Sequence, residues 1–114
     1  MLAKEKRLNL KKDFKWVVSG KRLETKYTRL YVRMGDNPHP RVSVAPASKN
    51  FKKATDRNRA KRIIWAAFKA LYPALLPNLN IVALPKLPVL GVKSGDMLLD
   101  LEEVLMRERM LNKK

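Results

Sequence analysis

Hydrophobic positions along the 114-residue chain change their period several times. Leu10, Phe14, Val17 and Val18 recur at i, i+4, i+7 and i+8, which is the spacing of one helix face, with Asn9 as the cap and Gly20 as the stop. Lys12 and Trp16 fall on the other side of that helix. From Tyr27 to Met34 the period drops to two, with Thr28, Leu30, Val32 and Met34 on one side and Tyr27, Arg29, Tyr31 and Arg33 on the other. That alternation predicts a strand with a Tyr/Arg face. Turn residues fill 35–40, and Arg41 to Ala45 reads as a second short strand with Val42 and Val44 facing one way. The two strands are expected to pair as a hairpin.

A basic loop, Lys49 to Lys53, leads into a long helix that Thr55 or Asp56 can cap and that must end near Tyr72, because Pro73 disfavours helical geometry in the residue before it. Ala60, Ile63, Ile64, Ala67, Phe68 and Leu71 make its apolar stripe. At about 100° per residue, Asn58, Arg62, Trp65 and Lys69 share the far side, flanked by Arg59 and Lys61. Asn80 to Leu84 is a short apolar run fit for a buried strand, and residues 85–95 form an irregular loop. Ser94 or Asp96 is placed to cap a last helix with Leu98, Leu101, Val104 and Leu105 as its apolar side. The expected order is αββαβα. No repeat or long linker divides the chain, so residues 1–114 read as one domain.

Composition adds a partner to this outline. The chain is 46% hydrophobic, enough for a core, yet it carries a net charge of +16. Residues 96–114 hold four basic and five acidic residues, a net of −1, so residues 1–95 carry +17. The densest cluster is 49–62, with seven Lys or Arg and one acid, Asp56. Self-repulsion on this scale opposes a compact state unless a polyanion offsets it. With no cysteine, disulfide scaffolds, thiolate-held metals and thiol catalysis are excluded. The longest uncharged run, Ala70 to Pro85, has 16 residues and several prolines and asparagines, which is too short and too broken for a spanning helix. The lysine-rich start does not resemble a secretory signal. A cytoplasmic protein without a membrane partner is expected.

Side-chain catalysis finds little support. His39 is the only histidine and lies between two prolines, so triad chemistry or a histidine metal site has no basis. Asp100 and Glu103 are i, i+3 on an amphipathic helix, with Glu102 beside them, where a solvated face is the ordinary explanation; an independent nuclease built on these carboxylates is the weakest reading. No phosphate-cradling glycine loop occurs. No catalytic or metal-ligating residue is therefore assigned. Binding to RNA is better supported, because aromatics alternating with arginines give a strand face stacking platforms beside phosphate-neutralising cations. Helix-turn-helix spacing and a basic zipper, the usual signs of a duplex-DNA reader, are missing.

One stretch is more specific. Arg57-Asn58-Arg59-Ala60-Lys61-Arg62, followed by Ile63 to Phe68, resembles the RNRxKRxxRxxF helix of the bacterial ribonuclease P protein component. Ser48-Lys49-Asn50 resembles that family's SKK loop at the matching spacing, and Leu10 to Val17 with Gly20-Lys21-Arg22 is similar to its first helix and turn. The sequence differs from the family pattern at Val18, Lys52 and Trp65, where a helix aromatic, a loop glycine and a later arginine are usual.

The resemblance implies a two-layer α-β sandwich with a central mixed sheet of about four strands and a left-handed βαβ crossover. The fourth strand is expected within Ala45 to Lys49 or near Val89 to Lys93. It also implies an accessory subunit that assists a catalytic RNA in removing the 5′ leader of precursor tRNA. The magnesium ions are held by the RNA, and no obligate protein partner is expected. Residues implied for the RNA subunit are Lys49, Lys53, Arg57, Asn58, Arg59, Lys61 and Arg62. Phe14 and Tyr31 match the leader cleft, and Lys12, Arg29 and Arg33 are added from the strand and helix pattern as phosphate contacts. The runner-up is a ribosomal or ribosome-associated protein that organises rRNA.

Overall fold

The computed structural model describes residues 6–112, apart from the side chain of Ser94; the start of the chain, on which the signal-peptide expectation rests, lies outside them. Three helices and a four-stranded mixed sheet follow in the order α1 (Leu10–Val18), β1 (Lys21–Glu24), β2 (Thr28–Met34), β3 (Arg41–Val44), α2 (Ala54–Leu71), β4 (Leu79–Pro85) and α3 (Ser94–Arg107). The strands lie in the order β1-β2-β4-β3. β2 is antiparallel to β1 and β4, whereas β3 runs parallel to β4, so α2 is the crossover of a βαβ unit.

Two expectations about the sheet are corrected. β2 and β3 do not form a hairpin, because β4 lies between them. The hairpin is β1–β2, and β1 is the fourth strand, outside both segments where it was expected. With only Leu23 buried among four residues, β1 is an edge strand whose Lys, Arg and Glu give no apolar alternation to detect. The order is therefore αβββαβα. Asn9 Oδ1 caps α1 as expected, accepting from the backbone N–H of Lys11 and Lys12. α2 and α3 begin after Lys53 and Lys93, whose side chains make no capping hydrogen bond, so Thr55 and Asp56 lie inside α2 and Asp96 inside α3 instead of at the cap positions expected for them; the expectation for the Ser94 side chain lies outside what is described.

Alternation along the strands sorts their side chains onto two faces. Leu23, Leu30, Val32, Val42, Val44, Ile81 and Ala83 point to one face, where the predicted stripe of α2 and Met97, Leu101, Val104 and Leu105 of α3 close the main core. Phe68 at its centre is fully buried, and truncating such a residue to alanine costs about 3–5 kcal/mol. On the other face α1 packs Val17, Leu10 and Phe14 over Leu8, Val82, Tyr31 and Leu84. α1 can come this close because Gly20 lies against β2, where an added Cβ would overlap the Val32 carbonyl and approach Arg33 Cβ to 2.9 Å.

Candidate nucleic-acid interface

The first surface is built by the 49–53 loop and the outward side of α2. Lys49, Lys53, Asn58, Arg59 and Arg62 are exposed, with Arg57 and Lys61 half-buried beside them. None of these cations pairs with a carboxylate of the described residues. Phe51 anchors the loop, its ring 1% exposed in the main core, while Asn50 and Phe51 donate their N–H groups to the Ala47 carbonyl. Trp65 keeps its expected neighbours, lining a cavity with Asn58, Lys61, Arg62 and Lys69, but its ring is turned inward. It is 6% exposed and belongs to the main core. The indole also reaches the sheet edge, where it joins Leu10, Lys11, Ser43, Val44 and Lys61 around a groove of about 460 Å³.

The second surface is the sheet face that α1 only partly covers. Register places Arg22 opposite Tyr31, Glu24 opposite Arg29, Arg29 opposite Leu84, and Arg33 opposite Asn80. Tyr31 and Phe14 share one half-buried apolar cluster, so the pair expected for a single-stranded guest is brought together. Arg29 stands beside them, but its Nε donates to Glu24 Oε2 at 2.6 Å. Glu24 also takes Lys86 Nζ at 2.8 Å and lies 4.0 Å from Arg22 Nε. The Lys86 hydrogen bond, reinforced by Arg29 and opposed by partial burial, holds the Glu24 carboxyl below its ordinary value. Glu24 in turn raises the Arg29 guanidinium.

Arg33 and Lys12 stand apart from that cluster, at the far end of the face. Arg33 Nη1 donates to the Trp16 carbonyl at 3.1 Å and to Ser19 Oγ at 2.6 Å, and the guanidinium lies 4.8 Å from the Trp16 ring centre. Trp16 was expected on the opposite side of α1; it leans over the end of β2, with Cη2 within 3.0 Å of where a Gly35 Cβ would be. Lys12 shares with it a polar cleft of about 510 Å³ that also takes in Asp13, Asp36, Arg41 and Asn80. Tyr27 is a further correction. It belongs to the β1–β2 turn, where its N–H donates to Thr25 Oγ1 and Asp100 Oδ2, and its ring packs on the main core. Asp100 is therefore not merely solvated: its carboxylate also accepts from Lys26 N–H and ties α3 to the hairpin.

Sequence reasoning missed Arg22, Glu24, Leu84 and Lys86 on this face. Only the strand register reveals them, since β1 lacks alternation and Lys86 follows the proline that ends β4. Among the described residues no three His, Cys, Asp or Glu side chains gather as a metal-ligand set.

A small basic α/β protein has here one cationic helix face without carboxylate partners among the described residues and one aromatic sheet face whose cations share a single carboxylate, features that suit a polyanionic strand. The family model described as Ribonuclease P matches residues 2–109. The ribonuclease P protein component of Chlamydia muridarum is 35% identical over 108 residues, covering 91% of this chain and 90% of that protein. Those of Pseudoalteromonas atlantica and Methylococcus capsulatus are 44% and 37% identical over 57 and 65 residues, 50% and 57% of this chain, which spans about half of each relative, 47% and 50%. The Thermotoga maritima RNase P protein, solved in complex with 1-(4-fluorophenyl)-2-thiourea, superposes with a TM-score of 0.77 at 26% identity over 89% of this chain and 98% of that one. The Staphylococcus aureus RNase P protein gives 0.79 at 22% identity over 94% and 98%, a likeness of fold. The chain belongs to the ribonuclease P protein family.

Proposed function

We propose that this chain serves as the protein subunit of ribonuclease P, binding the catalytic RNA and the 5′ leader while that RNA hydrolyses the leader phosphodiester of precursor tRNA in the cytoplasm. The observation that carries the reading is a family match over nearly the whole chain joined to the unneutralised cations of 49–62. Lys49, Lys53, Asn58, Arg59, Lys61 and Arg62, with Arg57 among them, face the RNA subunit, where each phosphate neutralised releases counterions. Phe14 and Tyr31 hold the leader by stacking, with Arg29, Arg33 and Lys12 along its backbone. Magnesium enters this reading only as ions held by the RNA. No helix of the described residues is long and apolar enough to cross a membrane. The family match does not favour an rRNA-organising role.

Reconstitution tests the reading. Precursor tRNA is incubated with ribonuclease P RNA at low magnesium, with and without this protein. Stimulated leader removal is expected. No stimulation refutes the proposal, and cleavage by the protein alone would return the chemistry to its side chains.

A further inference from the structure

Arg57 differs from its neighbours in what its guanidinium touches. Nη1 donates to the Phe51 carbonyl at 2.6 Å and to the Lys52 carbonyl at 3.2 Å, both in the loop that precedes α2. Its position makes that contact more telling. A cation near the start of a helix opposes the macrodipole; Arg57 is the fourth residue of α2, whose first turn has no side-chain cap and carries Asp56 as its only acid. The two carbonyls supply the compensating partners, and they belong to the segment that carries Lys49, Lys52 and Lys53. The loop is thus pinned twice, by the Phe51 ring in the core and by Arg57 from the helix. A phosphate approaching the Nη1 edge of Arg57 would have to displace both carbonyls.

We propose that Arg57 is a positioning residue, which holds the 49–53 loop so that Lys49, Lys52 and Lys53 meet the RNA and contributes to RNA binding through those lysines instead of by its own phosphate contact. The proposal rests on the assignment of this face to the RNA subunit. It divides the Arg57-Asn58-Arg59 motif into a brace and a contact: Arg57 organises the loop, and Arg59, exposed and without a carboxylate partner among the described residues, meets phosphate.

The test is a cycle of variants read by affinity for ribonuclease P RNA across a salt series. Arg57→Ala is made alone and on a background of Lys49→Ala, Lys52→Ala and Lys53→Ala, with Arg59→Ala as the reference contact. Alone, Arg57→Ala should weaken binding by about tenfold; on the lysine-free background it should change affinity by less than about twofold. Arg59→Ala should cost the same factor on both backgrounds and reduce the log–log salt slope by about 0.7–0.9. In the free protein, Arg57→Ala should speed amide exchange at Asn50 and Phe51 by about tenfold or more while α2 stays protected. Should Arg57→Ala not fold, Arg57→Lys takes its place in the cycle, because an ammonium keeps the charge but loses the planar fork. Equal losses from Arg57→Ala on both backgrounds, or unchanged loop exchange, would overturn the proposal. If Arg59→Ala and the lysine variant both leave affinity unaltered, the RNA assignment of the face falls, and the proposal with it.

Discussion

The two basic surfaces differ in what their cations already hold. On the α2 face, Lys49, Lys53, Arg59, Lys61 and Arg62 have no carboxylate partner among the described residues, whereas on the sheet face Arg29 and Lys86 share Glu24, and Arg33 is tied to Trp16 and Ser19. The first surface stores repulsion that a bound polyanion would relieve, so its affinity for one should be large, long-ranged and steeply salt-dependent. The second stays cationic but has its cations held, three of them by the one Glu24 carboxylate and Arg33 by neutral oxygens, and its aromatics are packed in place beforehand. Under the proposed function it meets the leader at short range.

The comparison breaks most visibly on the α2 face. Replacing Arg59, Lys61 and Arg62 by alanine should weaken binding to ribonuclease P RNA on the order of a hundredfold at low salt and shallow the log–log slope by about 2–3; a parallel salt series would expose a wrong face assignment. Next comes Gly20→Ala, which pushes α1 off β2 and should cost roughly 1–3 kcal/mol of stability, measured by denaturant unfolding. The α2 surface should keep its salt slope in that variant. Tyr31→Ala should cost about 1–3 kcal/mol in binding leader-bearing precursor relative to mature tRNA, and equal losses on both substrates would refute the leader assignment.

The smallest effect belongs to Glu24→Gln. Because the folded carboxyl is depressed, its stabilising contribution is present above the ordinary carboxylate value of about 4.3 and fades as pH falls through the lower folded value. The side chain is largely exposed, so the variant should lose only about 0.2–1 kcal/mol at neutral pH and nothing below both values. It should also release Arg29 and Lys86 and make leader binding more salt-dependent. If the dependence stays unchanged, Glu24 does not withhold Arg29 and Lys86 from the leader.

Local patterns were read well wherever one face of an element is buried. The α1 cap, the α2 stripe, the β2 alternation and the end of α2 before Pro73 all stand as the sequence predicts, because burial of one face imposes the period. Elements without such a face misled. β1 has one buried residue in four, so nothing marks it as a strand, and the hairpin was assigned to β2 and β3. Tyr27 continues the alternation by type but stands in a turn held by Thr25 and Asp100. Trp65 and Trp16 keep their expected helix neighbours, yet Trp65 turns inward and Trp16 leans over β2, because a large ring can reach beyond its own helix face and the neighbour decides. For Trp65 that neighbour is the edge at β3; for Trp16 it is Arg33 above the end of β2.

The sequence by itself determined the charge, its concentration in residues 49–62, the family motif and the amphipathic elements that make a core, since each depends on residues close along the chain. Which cations are available and which are consumed was decided only by the tertiary structure. Glu24 is 62 positions from Lys86, and Asp100 is more than 70 from the turn it ties. Pairing at such separations follows from strand order and register, which local periodicity does not encode.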